Sequence, residues 1–322
     1  MRERATAKLE GMTATISSPA ETGFSDLRTD DGTAAEPIVL DGVSKHYGRG
    51  RGRVAALDGV SVGFPAGSFT AVLGASGSGK STLLQCAAGL ERPSGGRVRL
   101  CGTDLASLSD RRRTVMRRER VGFVFQELNL MPELTVAENI ALPLRLGRHR
   151  VDRGEIARAA ARVGLDAGQL RRLPAQLSGG QQQRAAIARA LVVRPEVIFA
   201  DEPTGALDPY TAQTVLQVLR GTADGATVVV VTHDPQVVRF CDRAVFLDAG
   251  RVEAVVDAPQ PADVAARLHA LGERGARSAH SAHSAHSAHS AHSAHSAHSA
   301  HSAHSAHSAH SAHGGDAYRG GA

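Results

Sequence analysis

A glycine-rich loop that ends in a lysine and a serine carries the clearest chemistry in the sequence. Residues 74–81 read GASGSGKS and fit the pattern G-x-x-x-x-G-K-[ST], between an apolar run and a helical pattern. Glycines let successive backbone N–H groups wrap an anion, and the following helix adds the positive end of its dipole. Lys80 is suited to reach the β- and γ-phosphates, and the Ser81 hydroxyl is suited to bind magnesium. The predicted nucleoside triphosphate site comprises Gly74, Ala75, Ser76, Gly77, Ser78, Gly79, Lys80, Ser81 and Thr82.

Two adjacent carboxylates follow a second apolar run. Asp201 and Glu202 come directly after the residues VIFA at 197–200. Beside a bound triphosphate, Asp201 is placed to hold magnesium, directly or through water, and Glu202 to orient or deprotonate the attacking water. An acidic pair at an exposed turn is the alternative for the dipeptide alone. The phosphate loop that precedes it in the chain favours the catalytic interpretation.

A histidine and a serine-glycine segment complete the polar candidates. His233 ends the run TVVVVTH, where it is suited to hydrogen-bond a γ-phosphate, although a lone histidine at a strand end is more often structural. Its place after a third apolar run favours the functional interpretation. The segment Ser178-Gly179-Gly180-Gln181 opens a helical pattern and exposes backbone N–H groups. It predicts a second surface that binds an anion.

Short apolar runs and the helical patterns between them must position these groups. Each run reads as a buried parallel strand, and each helical pattern separates two runs. Alternating strands and helices predict a mostly parallel sheet that is covered on both faces. Ligands of such sheets bind beyond the carboxyl ends of the strands, where the loop, the carboxylates and the histidine all lie. The predicted strands are 69–73, 197–200 and 227–231, and the predicted helices are 81–90, 153–163 and 181–191.

With the phosphate loop, the residues LSGGQ at 177–181 resemble the signature motif of ATP-binding-cassette (ABC) ATPases. Other motifs of that family follow the same order, over about residues 38–256. Tyr47 resembles the aromatic residue that stacks on adenine, Gln126 the glutamine of the Q-loop, Asp208 the aspartate of the D-loop and His233 the switch histidine. The resemblance implies an α/β P-loop NTPase fold. Its parts would be a mostly parallel sheet core, an antiparallel β subdomain and an inserted α-helical subdomain at about 127–185.

The resemblance also implies a working pair of ATPase subunits, either a homodimer or a heterodimer. ATP would lie between the phosphate loop of one subunit and Leu177, Ser178, Gly179, Gly180 and Gln181 of the other. Hydrolysis would use Glu202 to polarise water and His233 to steady the transition state. Gln126 would join Ser81 and Asp201 around Mg²⁺ and would couple the dimer to a partner.

The segment around Gln126 narrows the resemblance to one branch of the family. The sequence ERVGFVFQELNLMPELTVAENIALPL looks like the branch that serves lipoprotein release, macrolide export, antimicrobial-peptide detoxification and cell division. That branch implies a separate integral membrane permease and a peripheral location at the cytoplasmic face of the membrane. A regulatory ATPase that relays force to an extracytoplasmic partner, without transport, stays open as an alternative. The short interval from Lys80 to Ser178 and the single cassette disfavour the DNA- and ribosome-associated relatives.

Composition excludes several other classes of protein. The chain has 322 residues, 42% hydrophobic and 21% charged, which is enough for a full core. Aromatic residues make up 3% with no tryptophan, so platforms for single-stranded nucleic acid are scarce, and no nucleic-acid partner is expected. No run approaches the roughly 20 apolar residues of a membrane-spanning helix, and no apolar signal segment opens the chain. Three cysteines without a C-x-x-C pattern support neither a disulfide framework nor a zinc site.

The composition also predicts where the chain divides. We expect a disordered tail at 1–36, an ABC ATPase domain at 37–258, a short helical extension at 259–277 and a disordered tail at 278–322. Residues 278–313 repeat Ser-Ala-His twelve times, which offers almost no surface to bury. Its histidines could chelate zinc or nickel, but low-complexity sequence without a function is the favoured interpretation. The arginine-rich run 111–120 predicts a solvated helix face, with membrane headgroups or a permease as the alternative contact.

Overall fold

The computed structural model describes residues 36–147, 149–223 and 225–274. The two predicted tails, apart from residue 36, lie outside these residues. In the part of the chain that is described, no helix has the length and apolar character needed to span a membrane.

A six-stranded sheet forms the centre of the fold, and a four-stranded sheet stands beside it. The chain order of the strands is β1 (Ile38–Tyr47), β2 (Val54–Phe64), β3 (Phe69–Leu73), β4 (Gly95–Leu100), β5 (Thr103–Asp104), β6 (Val121–Val124), β7 (Val197–Asp201), β8 (Thr227–Thr232), β9 (Arg243–Asp248) and β10 (Arg251–Asp257). The large sheet has the order β10-β9-β3-β8-β7-β6, and only the edge strand β10 pairs antiparallel. The smaller sheet, β2-β1-β4-β5, is antiparallel. This arrangement confirms the predicted fold class.

The predicted strands match β3, β7 and β8 to within one residue at each end. All five residues of β3 and all six of β8 are buried, as expected of strands that are covered on both faces. Register pairs Leu73 of β3 with Thr232 of β8, and Asp201 of β7 with Val231 of β8. The carboxyl ends of these three neighbouring strands therefore meet at one edge of the sheet.

Helices cover both faces of the large sheet and fill the interval between β6 and β7. They are α1 (Lys80–Ala87), α2 (Asp110–Arg120), α3 (Val136–Leu146), α4 (Arg153–Arg162), α5 (Gly179–Leu191), α6 (Pro209–Thr222) and α7 (261–274). The helices α3, α4 and α5 lie between β6 and β7 in the chain and pack on one another. The predicted helix at 153–163 corresponds to α4 and its C-cap residue, and its apolar side chains Ile156, Ala159, Ala160 and Val163 are buried.

Side chains on opposite faces of the central strands pack into different parts of the core. Val72 and Val229 pack with α1 and the antiparallel sheet, whereas Ile198 and Val230 pack with the helices α3 to α6. A smaller cluster joins β3 and β9 to Val264 of α7. Most of the large sheet is thus buried between these layers. The polar segments that follow its strands lie at the carboxyl ends of the strands.

The arginine-rich helix α2 corrects one expectation from the sequence. Arg113, which was predicted to lie on a solvated face, is only 6% exposed and pairs with Asp110. Arg117 donates a hydrogen bond to the Gly89 carbonyl at 2.6 Å. Part of the charge on this helix therefore ties it to the end of α1 rather than to solvent.

Candidate functional site

The loop between β3 and α1 depends on glycine at its two ends. Gly79 precedes α1 with φ 101°, and a Cβ there would lie 2.2 Å from the Ala56 carbonyl oxygen. A Cβ on Gly74 would lie 2.2 Å from the Leu247 carbonyl oxygen. No side chain can occupy either position, because the backbone of β2 approaches the loop at Gly79 and the backbone of β9 approaches it at Gly74. These contacts hold the loop in a fixed curve against the sheet.

The Lys80 side chain lies inside this loop and contacts its first two residues. Its ammonium group donates hydrogen bonds to the carbonyls of Gly74 and Ala75, both at 2.9 Å, and the residue is 9% exposed. Burial lowers the pKa of Lys80, while the carboxylates of Glu202 and Asp201 oppose that shift. A buried cation held by two neutral carbonyls is poised to exchange them for phosphate oxygens. Ser76 and Gly77 form the exposed tip of the loop, whereas the Ser78 side chain is buried.

Ser81 and Asp201 meet at the first turn of α1. The Ser81 side chain forms a hydrogen bond with Asp201, which acts against the burial that raises the pKa of this carboxyl. A hydroxyl and a carboxylate are the hard oxygen ligands that Mg²⁺ prefers. No group of three or more His, Cys, Asp or Glu residues in the described ranges is placed to hold a metal alone. The donor set fits an ion that takes its other ligands from phosphate oxygens and water.

Glu202 is held by the end of β8. Its backbone has φ 44°, and its N–H donates to the Val231 carbonyl at 2.9 Å. One carboxylate oxygen, Oε2, accepts a hydrogen bond from the Thr232 hydroxyl at 3.1 Å. The other, Oε1, lies 2.8 Å from Nδ1 of His233. The acidic end of β7 and the histidine after β8 therefore form one connected group.

Tyr47 and Gln126 lie at the ends of two other strands. Gln126 is exposed in the turn that follows β6, the neighbour of β7 in the sheet. Tyr47 ends β1 and is 40% exposed, with the Lys45 ammonium 5.1 Å from its ring centroid. Lys45 also pairs with Glu91 at 2.7 Å, so the cation beside the tyrosine ring has a fixed partner.

The segment at 177–181 forms the start of α5. Ser178 is the N-cap, with Gln181 N–H donating to its hydroxyl at 3.4 Å and Ser178 N–H donating to the Gln181 side chain at 3.0 Å. This capping box uses two of the donors at the helix start and leaves the N–H groups of Gly179 and Gly180 at the exposed first turn. The 13-residue helix adds its dipole to the same end. The first turn of α5 is therefore suited to an anion.

A pocket of about 380 Å³ opens beside this helix start. Asp208 borders it and caps α6 by accepting hydrogen bonds from the N–H groups of Tyr210 and Thr211, both at 3.1 Å. The hydrogen bond from the Thr211 side chain is the main reason that the pKa of Asp208 is lowered. The described residues that line the pocket are Ser178, Gly179, Gly180, Arg184, Ala206, Leu207, Asp208, Tyr210, Thr211, Thr214 and Val215.

The structure sorts the predicted residues into two groups. Lys80, Ser81, Asp201, Glu202 and His233 are connected through hydrogen bonds or charge interactions at one edge of the sheet. Ser178, Gly179, Gly180 and Asp208 instead line the pocket beside α5, which none of the residues 74–82 lines. One chain thus carries two separate surfaces that are each suited to an anion.

Comparison with known proteins decides the family. A profile described as "ABC transporter" matches residues 57–205. The Lipoprotein-releasing system ATP-binding protein LolD of Anaeromyxobacter dehalogenans is 46% identical over 235 residues, which are 70% of this chain and 97% of that protein. The chain belongs to the ABC transporter family. As an ABC ATP-binding subunit, it is an ATPase.

Other relatives of this ABC subunit agree with that assignment. The Macrolide export ATP-binding/permease protein MacB of Sodalis glossinidius is 45% identical over 220 residues, which are 67% of this chain and 34% of that protein. A solved structure of the cassette MJ0796, described as a dimeric post-hydrolysis state bound to ADP and Pi, matches with a TM-score of 0.64 at 40% identity. The match covers 69% of this chain and 99% of the MJ0796 chain.

Sequence reasoning missed two polar residues of this ABC subunit that bear on the site. Thr232 was given no role in the site, yet its hydroxyl donates a hydrogen bond to the Glu202 carboxylate. Arg189 was read only as part of a helix, yet it is 9% exposed and contacts the segment after Gln126. A charged residue inside the apolar sequence AAIARAL is the signal that marks it.

Proposed function

We propose that this ATPase binds and hydrolyses MgATP as a head-to-tail pair of subunits and thereby drives a separate membrane permease. The observation that carries the proposal is the separation of the two anion-binding surfaces. The phosphate loop belongs to the group at the sheet edge, and the start of α5 belongs to the pocket with Asp208. A nucleotide gripped by both surfaces requires the α5 surface to come from a second subunit.

Within one subunit, the residues at the sheet edge are suited to hold and activate the nucleotide. The loop N–H groups and Lys80 would bind the β- and γ-phosphates, and Tyr47 would stack on the base. Ser81, Asp201 and Gln126 would hold the magnesium ion, which neutralises charge on the phosphate oxygens. These residues are positioned by four strand ends and by the first turn of α1.

Hydrolysis requires a group that orients water and accepts its proton. Glu202 is 15% exposed in its side chain and has both oxygens engaged, by Thr232 and by His233. Such contacts fix a carboxylate in one orientation, which favours its use as a general base. His233, with 73% of its side chain exposed, would contact the γ-phosphate through its other ring nitrogen.

Binding of two ATP molecules would close the pair, and hydrolysis would open it. In the closed state the first turn of α5 would meet the γ-phosphate bound by the partner subunit, through N–H groups and the helix dipole. Loss of the γ-phosphate removes those contacts, so the pair separates. Gln126, exposed after β6, would transmit this cycle to the permease.

The names of the relatives support a membrane partner. LolD is called the ATP-binding protein of a lipoprotein-releasing system, and the chain matches 97% of it. MacB is called an ATP-binding/permease protein, and the chain matches only 34% of it. We propose that the permease of the present system is another polypeptide. The ATPase would then bind peripherally, at the cytoplasmic face of the membrane.

Vesicles that contain the purified ATPase and its permease test the proposal. We expect ATP hydrolysis that needs Mg²⁺, rises with subunit concentration and accompanies movement of substrate across the vesicle membrane. Full hydrolysis by a strict monomer would contradict the paired mechanism. Hydrolysis without movement of substrate would instead favour a regulatory ATPase that relays force to an extracytoplasmic partner.

A further inference from the structure

Arg189 lies near the end of α5, in a part of the helix whose other residues are apolar. Ile187, Ala188, Ala190 and Leu191 are each at most 4% exposed, and Arg189 itself is 9% exposed. Burial lowers its pKa, and no carboxylate in the described ranges opposes that shift. Burying a guanidinium without a countercharge is unfavourable, so a leucine or methionine at this position would cost the folded state less free energy. The residue therefore needs an explanation other than packing.

Two backbone carbonyls satisfy the guanidinium. Its Nη2 donates to the Leu128 carbonyl at 2.5 Å, and its Nη1 donates to the Asn129 carbonyl. The planar fork of arginine presents two donors at a fixed spacing, which matches two consecutive carbonyls. The contact spans 60 positions of the sequence, from α5 to the turn after β6.

The backbone at this contact is in an unusual conformation. Leu128 and Asn129 have φ values of 54° and 49°, so two adjacent residues other than glycine adopt the left-handed region. That region is disfavoured for leucine and persists only where surrounding contacts enforce it. A hydrogen bond from Leu128 N–H to the Phe125 carbonyl at 3.0 Å closes a turn around Gln126. Arg189 therefore stabilises the turn that carries Gln126.

A second anchor holds the far side of the same loop and comes from a different helix. Asn139 of α3 is fully buried, accepts a hydrogen bond from Met131 N–H at 2.7 Å and donates to the Leu134 carbonyl at 3.0 Å. Its contacts begin two residues after those of Arg189. Arg189 thus links this turn to α5, the helix whose N-cap is Ser178.

We propose that Arg189 is a positioning residue that holds Gln126 in the geometry required for nucleotide-bound Mg²⁺ and couples it to the start of α5. The inference rests on the proposed function, because it assigns Gln126 to the magnesium site. The distance from Gln181 to Arg189 along a rigid helix is about 12 Å, at about 1.5 Å per residue. A displacement of the helix start would therefore reach the turn through the Arg189 side chain.

The test compares the full-length variants Arg189→Met, Arg189→Lys and Arg158→Met. Arg158 is an exposed arginine of α4 that pairs with Asp152, so its loss controls for removal of a positive charge from the same group of helices. Hydrogen exchange at residues 126–130 without nucleotide reports on the turn. ATP affinity without Mg²⁺ and the Mg²⁺ concentration for half-maximal hydrolysis report on the site.

We expect Arg189→Met to accelerate exchange at 126–130 and to raise the half-saturating Mg²⁺ concentration about 10-fold, the lower end for loss of an outer-shell support. ATP affinity without Mg²⁺ should change less than about twofold, since the phosphate loop is untouched. Arg158→Met should change none of these values. Arg189→Lys, which retains the charge but not the fork, should fall between wild type and Arg189→Met and carries the test if the methionine variant does not fold.

Unchanged exchange at 126–130, or faster exchange with an unchanged Mg²⁺ requirement, would overturn the inference. Failure of the wild-type protein to hydrolyse ATP would instead count against the proposed function. In that case the exchange measurement alone would still decide whether Arg189 holds the turn.

Discussion

Nδ1 of His233 lies 2.8 Å from Oε1 of Glu202, so the histidine after β8 and the second carboxylate after β7 are direct partners. The contact fixes the imidazole ring by one nitrogen and leaves Nε2 for another partner. It also occupies one oxygen of a carboxylate whose other oxygen is bound by Thr232. A change at either residue will therefore disturb the orientation of the other.

The first prediction concerns the Glu202 carboxylate. Glu202→Gln retains the size of the side chain and one acceptor oxygen but removes the base, so the rate of hydrolysis should fall about 10² to 10⁴-fold. ATP should still bind, and the variant should accumulate as a stable dimer on size-exclusion chromatography with ATP. The same substitution at Glu119, an exposed residue of α2, should have no effect. Normal hydrolysis by Glu202→Gln would show that the assigned role is wrong.

The second prediction concerns the lysine inside the phosphate loop. Lys80→Ala removes the ammonium group that joins the carbonyls of Gly74 and Ala75, and we expect nucleotide binding to be lost. Lys80→Arg should also bind poorly, because a wide guanidinium does not fit a buried cradle built for a compact charge. Titration with a fluorescent ATP analogue measures both, with Lys8→Ala as the matched control. Unchanged affinity in Lys80→Ala would refute the assignment of the loop.

The central strands could be predicted because burial on both faces gives each a continuous apolar run. The runs at 69–73, 197–200 and 227–231 correspond to β3, β7 and β8. The edge strand β10 has alternating exposed and half-buried residues, and it was not recognised as a strand from the residues alone. Its place depends on pairing with β9, a contact that local sequence does not encode.

The candidate site was predictable as a set of residue types but not as a network. Strand ends explain why Asp201 and His233 lie at one edge of the sheet. The left-handed backbone of Glu202, at φ 44°, and its bond to Thr232 depend on how β7 and β8 pair, so no pattern in the sequence revealed them. The contacts of Arg189 could not be predicted for the same reason, because its partners are backbone carbonyls 60 and 61 positions away.

The third prediction concerns the close approach of α5 to α6. A Cβ on Gly180 would lie 2.5 Å from the Cγ2 atom of Thr211, whereas a Cβ on Gly179 would meet Leu207 at an ordinary 3.6 Å. Gly180→Ala should therefore destabilise the protein by about 1–3 kcal/mol through overpacking. Gly179→Ala should be neutral or stabilising, since alanine favours helix by about 1 kcal/mol over glycine.

Thr211→Ser offers a matched rescue of this clash. Serine lacks Cγ2 but keeps the hydroxyl that hydrogen-bonds Asp208, so the double variant Gly180→Ala with Thr211→Ser should recover most of the lost stability. Urea unfolding of the four proteins gives the coupling between the two sites. Strictly additive effects would mean that the two residues do not contact each other in this way.

The fourth prediction concerns the pH dependence of stability at the start of the phosphate-loop strand. Asp242 accepts hydrogen bonds from Arg220 of α6, at 2.6 Å and 2.8 Å, and from the Phe69 N–H at 2.8 Å. The Arg220 hydrogen bond is the main reason that the pKa of Asp242 lies below its ordinary value of 3.8. A depressed carboxyl pKa stabilises the folded state above the unfolded value, and that stabilisation is lost as the pH falls through the folded value.

Asp242→Asn should accordingly be less stable than wild type at about pH 7, and the difference should shrink below about pH 4. Because the pair is half exposed, we expect about 1 kcal/mol at neutral pH, a fall in melting temperature of about 2–4 °C. Melting curves of both proteins across this range measure the difference. The pair Arg251–Asp58 provides the control, because its arginine side chain is 72% exposed, and Asp58→Asn should give a smaller loss of stability at neutral pH. A difference that stays constant with pH would show that the Asp242 charge does not contribute to stability.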